Sequence, residues 1–271
     1  MNSLKNKVII ITGASSGIGE ACAYEFANQG CKIVLAARNI EKLKVIENDL
    51  LKKNIEVLSV KTDVEKEEDC KNLIEKTIEK FGHIDIMLNN AGISMRALFN
   101  EVDLNVLKKV MDINFWGTVY CTKYALPYVL EQKGSIIGVS SIAGYKGLPG
   151  RTGYSASKFA MHGFLETIRI ENLNNGLHVL IACPGFTASN IRNTALNKEG
   201  NMQGESPRDE DKMMSSEEVA KHFVNAILKR KIKLVLTTQG KLLVFLNKFF
   251  PKLVDKLVYS HMAKEKNAPI K

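Results

Sequence analysis

Apolar positions along the chain gather into short runs separated by longer stretches of helical period. Six runs stand out: KVIIIT (7–12), KIVLAA (32–37), EVLSVK (56–61), IDIMLN (84–89), SIIGVS (135–140) and HVLIAC (178–183), with a seventh, KLVLTT (233–238), near the end. They are rich in β-branched residues and nearly continuous in apolar character, which is the pattern of strands covered on both faces. The intervening segments are long enough for helices that cross over between parallel neighbours. The pattern therefore predicts an α/β fold, a doubly wound and mainly seven-stranded parallel sheet with helices on both faces.

A chain of 271 residues with 45% hydrophobic content can bury a sizeable core. No linker, repeat or low-complexity block divides it, so one domain spanning 1–271 is expected. Asn197 to Ser216 is polar and lacks apolar periodicity. A loop of that length within a compact domain is functional or disordered, and it is read as a mobile segment over the active site, with disorder as the alternative. No apolar run reaches the ~18 residues that cross a bilayer. Only a short polar lead precedes Val8, which leaves no room for a secretory signal, and the cytoplasm is the expected compartment.

Five cysteines and five histidines are scattered without metal-ligand or C-x-x-C spacing, so neither a disulfide framework nor a metal site is expected. Lys and Arg number 38 against 29 Asp and Glu, a formal net charge of +9 that favours anionic partners such as a phosphorylated cofactor. Nucleic acid is not expected, because no zinc-finger, leucine-zipper or RNA-binding signature accompanies the charge.

The first run leads directly into TGASSGIGEACAYEFANQG (12–30), in which Gly13, Gly17 and Gly19 form a G-x-x-x-G-x-G turn ahead of an amphipathic helix. Such glycines permit a tight turn and let the backbone, here with Ser15, Ser16 and Ile18, approach a pyrophosphate at the helix N-terminus. The spacing lacks the G-K-[ST] ending of a nucleotide triphosphatase, so a dinucleotide is favoured over ATP. The second run ends in Ala36-Ala37-Arg38, with no carboxylate for a ribose 2′-hydroxyl and a guanidinium able to grip a phosphate. NADP(H) is therefore expected in preference to NAD(H), the alternative being that Arg38 is simply solvated at a strand end.

The stretch GYSASKFA (153–160) admits two catalytic readings. Ser155 and Lys158 have the S-x-x-K spacing of serine acyl-transfer enzymes, whereas Tyr154 and Lys158 have the i, i+4 spacing of a tyrosine acid/base supported by lysine. The companion S-D-N and K-T-G elements of the first reading do not occur in the chain. One helical turn, about 6 Å along the axis, separates Tyr154 from Lys158. An ion pair at ~4 Å with an effective dielectric of ~20 supplies about 4 kcal/mol before desolvation, enough to shift a phenol by up to roughly three pH units.

TGASSGIG (12–19), Asp63-Val64, NNAG (89–92), Asn114, SS (140–141), YSASK (154–158) and Pro184-Gly185 follow one another in an order that resembles the short-chain dehydrogenase/reductase family over about residues 5–190. The match is to its standard-length subgroup, with a tail similar to the hydroxysteroid-dehydrogenase-like branch. The resemblance implies a Rossmann-type oxidoreductase with a catalytic tetrad of Asn114, Ser141, Tyr154 and Lys158. In that tetrad Tyr154 exchanges the proton, Lys158 lowers its pKa and binds the nicotinamide ribose, Ser141 rather than Ser140 orients the substrate oxygen, and Asn114 supports a proton relay. It further implies that Asp63 and Val64 neighbour the adenine. Asn90, Ala91 and Gly92 would turn beside the adenosine ribose, and Pro184 and Gly185 would approach the nicotinamide. The usual threonine of P-G-x-x-x-T is Ser189 here, and either Ser189 or Thr187 is a candidate for the carboxamide. The cofactor half would then run to about 140, the catalytic and substrate half from about 141 to 238, and an amphipathic tail from about 240 to 266.

The resemblance implies hydride transfer to or from a carbonyl or alcohol carbon of a small molecule. Ile142, Leu148, Phe186 and Met95 are candidates to line an apolar substrate cleft, with core packing as their alternative. The tail is expected to pack on the protein itself, with attachment to an anionic membrane surface, favoured by the basic run Lys229 to Lys233, as the alternative. A homodimer or homotetramer, pairing the helices after Asn105 and Tyr154, follows from the same resemblance. The competing reading from another class is a catalytically silent NADP-binding sensor or scaffold.

Overall fold

The computed structural model describes residues 3–207 and 213–270, and within it all seven apolar runs contribute strands to one sheet. In chain order the elements are β1 (Val8–Thr12), α1 (Gly17–Asn28), β2 (Lys32–Ala37), α2 (Ile40–Leu51), β3 (Val57–Lys61), α3 (Glu67–Phe81) and β4 (Ile86–Asn89). There follow α4 (Leu104–Met111), α5 (Gly117–Glu131), β5 (Ser135–Val139), α6 (Thr152–Glu171), β6 (His178–Cys183), α7 (Ser216–Leu228), β7 (Lys233–Val235), α8 (Thr238–Phe249) and α9 (Pro251–Met262). The sheet order is β3-β2-β1-β4-β5-β6-β7, and every neighbouring pair is parallel. The expected doubly wound sheet is present, and residues 208–212 of the polar loop lie outside the described residues.

Near-continuous apolar runs become strands here because both faces of the sheet are covered. Ile9 and Ile11 of β1 join a cluster with Cys22 and Phe26 of α1 and Phe223 of α7. Val8 and Ile10 point the other way, into a cluster with Leu73 of α3, Cys121 of α5 and Leu165 of α6. The seventh strand stops three residues short of its predicted end. Thr237 adopts a left-handed φ of 64°, and its hydroxyl accepts a bond from Gly240 N at 3.1 Å, so the backbone that would have extended β7 caps α8 instead.

The chain adds β2 and β3 on one side of β1 and then crosses to β4 on the other, so a crevice opens beyond the carboxyl ends of β1 and β4. Thr12 Oγ1 accepts bonds from the N–H groups of Asn90 and Ala91, both at 3.0 Å, and Asn90 Nδ2 donates to Thr12 O at 2.9 Å. These bonds hold the two strand ends together at the base of the crevice. At the opposite end of the sheet, buried Asp85 accepts bonds from Val8 N and Lys7 Nζ, each at 2.8 Å.

The tail folds back on the protein through one face. Val254, Val258 and Met262 are buried against Leu148, Leu243, Leu246 and Ile270, whereas Leu242, Phe245, Phe249, Leu253 and Leu257 stay exposed on the other face. Among the described residues, no helix is long and apolar enough to cross a membrane.

Asp85→Ala should lower stability by about 3 kcal/mol, because it strands a buried N–H and an ammonium that now share one carboxylate. Chemical denaturation with an unchanged midpoint would contradict that assignment.

Candidate active site

The crevice is a cleft of about 500 Å³. One end is the glycine turn. Gly13 has φ of 65°, and a Cβ there would stand 2.9 Å from Ala91 Cα, so only glycine permits this approach of β1 to the loop after β4. A Cβ on Gly19 would collide with Gly13 O, so Gly19 sits behind the turn and does not line the cleft. Ser16 is the N-cap of α1 and its side chain makes no capping bond, which leaves the helix N-terminus and its N–H groups facing the cleft. Gly13, Ser15, Ser16, Gly17 and Ile18 line this end, followed by the exposed Arg38 and by Asp63 and Val64. The open helix terminus, the close backbone approach and the arginine fit a nicotinamide dinucleotide.

The other end is built from α6 and the loops after β4, β5 and β6. Tyr154, Lys158, Ser141, Gly92, Pro184, Gly185 and Thr187 line it, while Asn90, Ala91 and Ser189 line the cleft beside the glycine turn. Ser141 directly follows the serine that ends the run SIIGVS, and its hydroxyl accepts a bond from Ala143 N at 3.2 Å while also hydrogen-bonding the phenol of Tyr154. Ser140 turns inward, where its hydroxyl lies 2.7 Å from His162 Nε2. Of the two serines, Ser141 is thus the one beside the phenol. Ser155 accepts a bond from Leu148 N at 3.2 Å and is buried, so it stabilises a loop and has no access to the cleft as a nucleophile. Thr187 donates to Gly185 O at 3.3 Å, and Ser189 lies against Gly17 of the glycine turn.

Asn114 does not line the cleft. It sits in a π-helical turn, Asp112–Trp116, between α4 and α5, a widened turn that commonly marks functional positions. Its amide accepts from Ile93 N at 2.8 Å, donates to Ile93 O at 2.9 Å and donates to Ser157 Oγ at 3.0 Å. Ser157 in turn donates to Tyr154 O at 2.8 Å. Asn114 therefore joins the loop after β4 to the helix that carries the tyrosine.

Electrostatics depart from the simple expectation of a lysine-depressed phenol. Burial pushes the Tyr154 phenol above its usual value of 10, against the opposing influence of the Ser141 hydrogen bond and the charges of Arg151 and Arg192. Burial also holds the Lys158 ammonium down to about 8. Its Nζ donates to Val139 O at 2.8 Å and stands 5.7 Å from the centre of the Tyr154 ring. Both groups lose water on the same helix face, and for the phenol that desolvation outweighs the Ser141 bond and the two arginine charges that oppose it.

Several cleft residues were not singled out in the sequence: Asn39, Thr62, Lys109, Arg151 and Arg192. Arg151 stands only three positions before Tyr154, but nothing local marks an arginine as facing a cleft. The expected apolar lining is divided, with Leu148 and Phe186 lining the cleft. Met95 is instead fully buried behind the cleft in a core cluster with Tyr154 and Leu196, and Ile142 packs toward Gly240. Gly200 and Met202, from the described part of the polar loop, also line the cleft.

Burial lowers the pKa of His162 and of His178 to about 4 from the ordinary 6.5. The unfolded chain takes up these protons at higher pH than the folded one, so their contribution is full above about pH 6.5 and is lost as pH falls toward about 4. Thermal denaturation of wild type should therefore fall more steeply across that window than that of His178→Gln. Parallel curves would refute the assignment.

A family model described as short chain dehydrogenase matches residues 7–200. A Dictyostelium discoideum protein named dehydrogenase/reductase SDR family protein 7-like is 34% identical over 265 residues, covering 95% of this chain and 82% of its own. An Arabidopsis thaliana 11-beta-hydroxysteroid dehydrogenase is 42% identical over 193 residues, covering 70% of this chain and 54% of its own, so the match spans about half of that relative. A short chain dehydrogenase/reductase from Burkholderia phymatum, solved in complex with NAD, superposes with a TM-score of 0.84 at 25% identity over 93% of this chain and 96% of that one. An alcohol dehydrogenase from Thermococcus sibiricus, complexed with 5-hydroxy-NADP, does so with a TM-score of 0.75 at 25% identity over 85% and 94%. Motif order, sheet topology and these matches agree that the chain belongs to the short-chain dehydrogenase/reductase family, oxidoreductases that act on CH–OH and C=O groups with a nicotinamide dinucleotide.

Proposed function

We propose that the protein is an NADP(H)-dependent carbonyl reductase, with Tyr154 as its proton donor and a small, predominantly apolar molecule as its substrate. The observation that carries this reading is the meeting of the Tyr154 phenol, the Ser141 hydroxyl and the Lys158 side chain at one end of a cleft whose other end is the glycine turn and Arg38. When bound, the reduced nicotinamide supplies a hydride to the carbonyl carbon. Tyr154 gives its proton to the carbonyl oxygen, and the products are an alcohol and the oxidised dinucleotide. The phenol carries its proton at neutral pH, the form that reduction requires.

Ser141 donates a hydrogen bond to the same carbonyl oxygen and fixes it opposite the phenol. Lys158, with a pKa near 8, keeps its ammonium through much of the neutral range and holds the nicotinamide ribose. Asn114 holds the loop at Ile93 against α6 and supports the path by which Tyr154 regains its proton. Arg38, exposed at the adenosine end, pairs with the 2′-phosphate. Thr187 and Ser189 both remain candidates for the carboxamide, with Ser189 nearer the glycine turn. Leu148, Phe186, Ile191, Leu196 and Met202 supply apolar wall for the substrate. Exposed Leu104, Trp116, Phe159 and Ile170 on and between α4 and α6 support pairing of two copies through these helices.

Tyr154→Phe should lower kcat by ~10²- to 10⁴-fold, read as NADPH oxidation over a panel of steroid, retinoid, aromatic and short aliphatic carbonyls. Near-normal turnover in that variant would remove Tyr154 from the reaction. Arg38→Leu should lower kcat/KM for NADPH by at least about tenfold while leaving that for NADH nearly unchanged. Equal efficiency of wild type with both cofactors would overturn the NADP(H) assignment.

A further inference from the structure

The substrate end of the cleft is walled by three loops that leave adjacent strands, and one segment of the chain ties all three together. Just beyond α9, the carboxylate of Glu265 is buried. It accepts a bond from Arg151 Nη2, in the loop after β5, at 3.1 Å, and lies 3.5 Å from Arg96 Nε, in the loop after β4. Arg96 Nη2 also donates to Lys266 O at 2.6 Å. Lys266 Nζ then reaches Glu205, in the loop after β6, at 3.1 Å, and Pro269 packs against Gly150.

A buried carboxylate between two buried guanidinium groups is an expensive arrangement unless the geometry needs it. Here one carboxylate serves both guanidinium groups. Arg151 brings positive charge into the cleft, since it lines the cleft and occupies the N-cap position of α6, one turn before Tyr154. The groups that face Tyr154 are Ser141 and Arg151 from the loop after β5, Lys158 from α6, Cys183 from β6 and Arg192 from the loop after β6. Those that face Arg151 are Glu265, Arg96 and Tyr154 itself.

We propose that Glu265 is a positioning residue of the active site, clamping Arg151 against Arg96 so that the Arg151 guanidinium is held on the cleft wall beside the Tyr154 phenol. This rests on Tyr154 being the acid/base. The carboxyl-terminal segment thereby belongs to the catalytic apparatus although it touches neither substrate nor cofactor. The two sides of the clamp act on the phenol with opposite signs. Removing the carboxylate exposes the phenol to more positive charge, and removing the guanidinium exposes it to less.

The test is a stopped-flow alkaline pH jump of the full chain, with phenolate absorbance near 295 nm read before unfolding and the same variant carrying Tyr154→Phe subtracted. At a fixed pH on the rising limb, Glu265→Gln should raise the Tyr154 phenolate fraction about threefold and Arg151→Gln should lower it about threefold. Arg151→Lys, which keeps the charge, should restore the wild-type value. A purely structural staple would move neither limb or would move both in one direction, and either result overturns the proposal. If Glu265→Gln loses its near-ultraviolet circular dichroism, the comparison of Arg151→Gln with Arg151→Lys decides instead. Retained carbonyl turnover in Tyr154→Phe would defeat the underlying acid/base reading, whereas an inactive Tyr154→Phe with absent or parallel shifts would defeat this inference alone.

Discussion

The closure of β1 against β4 at their carboxyl ends is the constraint on which the rest of the site depends. Parallel strands at a switch point diverge into loops that run to opposite faces, and nothing in the ladder itself keeps those loops in register. Thr12 and Asn90 supply that register through three bonds of about 3 Å. With β1 and β4 fixed, the glycine turn lies against Ala91, and Asn114 can reach Ile93 only two residues farther on. The cofactor end and the catalytic end are therefore held by one short hinge of backbone rather than positioned separately.

From this hinge the network runs through buried polar groups that are each satisfied by a neighbour. Asn114 passes to Ser157, Ser157 to the backbone of Tyr154, and Lys158 to the carboxyl end of β5. Burial of polar groups raises the cost of any wrong arrangement, so such a network selects one geometry strongly. It also sets the chemistry, since desolvation on the face of α6 pushes the phenol up and the ammonium down. Burial keeps the Tyr154 phenol protonated beyond the range of a free tyrosine, and the charges of Arg151 and Arg192 moderate that shift.

The wall itself is less regular than the sheet. It mixes apolar side chains such as Leu148 and Phe186 with Arg151, whose charge is met by Glu265 from a distant part of the chain. The tail is central to this. Its inner face covers Leu148, its Glu265 joins two loops, and its outer face leaves a row of large apolar side chains in solvent.

The sheet, its order of strands and helices, and the glycine turn were legible in the sequence because they depend on local periodicity and on backbone permissions that only certain residues provide. Burial on both faces writes itself as continuous β-branched runs, and close approach of backbone writes itself as glycine. The i, i+4 spacing of Tyr154 and Lys158 likewise needs only the pitch of a helix. What tertiary structure alone decided involves partners far apart in the chain. The end of β7 depended on Thr237 choosing a cap over a strand, the direction of the Tyr154 shift on how much water two neighbouring groups lost, and the placement of Arg151 on a carboxylate 114 positions away. Gly19 and Asn114 belong to the right motifs yet stand behind the cleft, because a motif names neighbours in sequence whereas exposure to a cleft is set by everything packed around them.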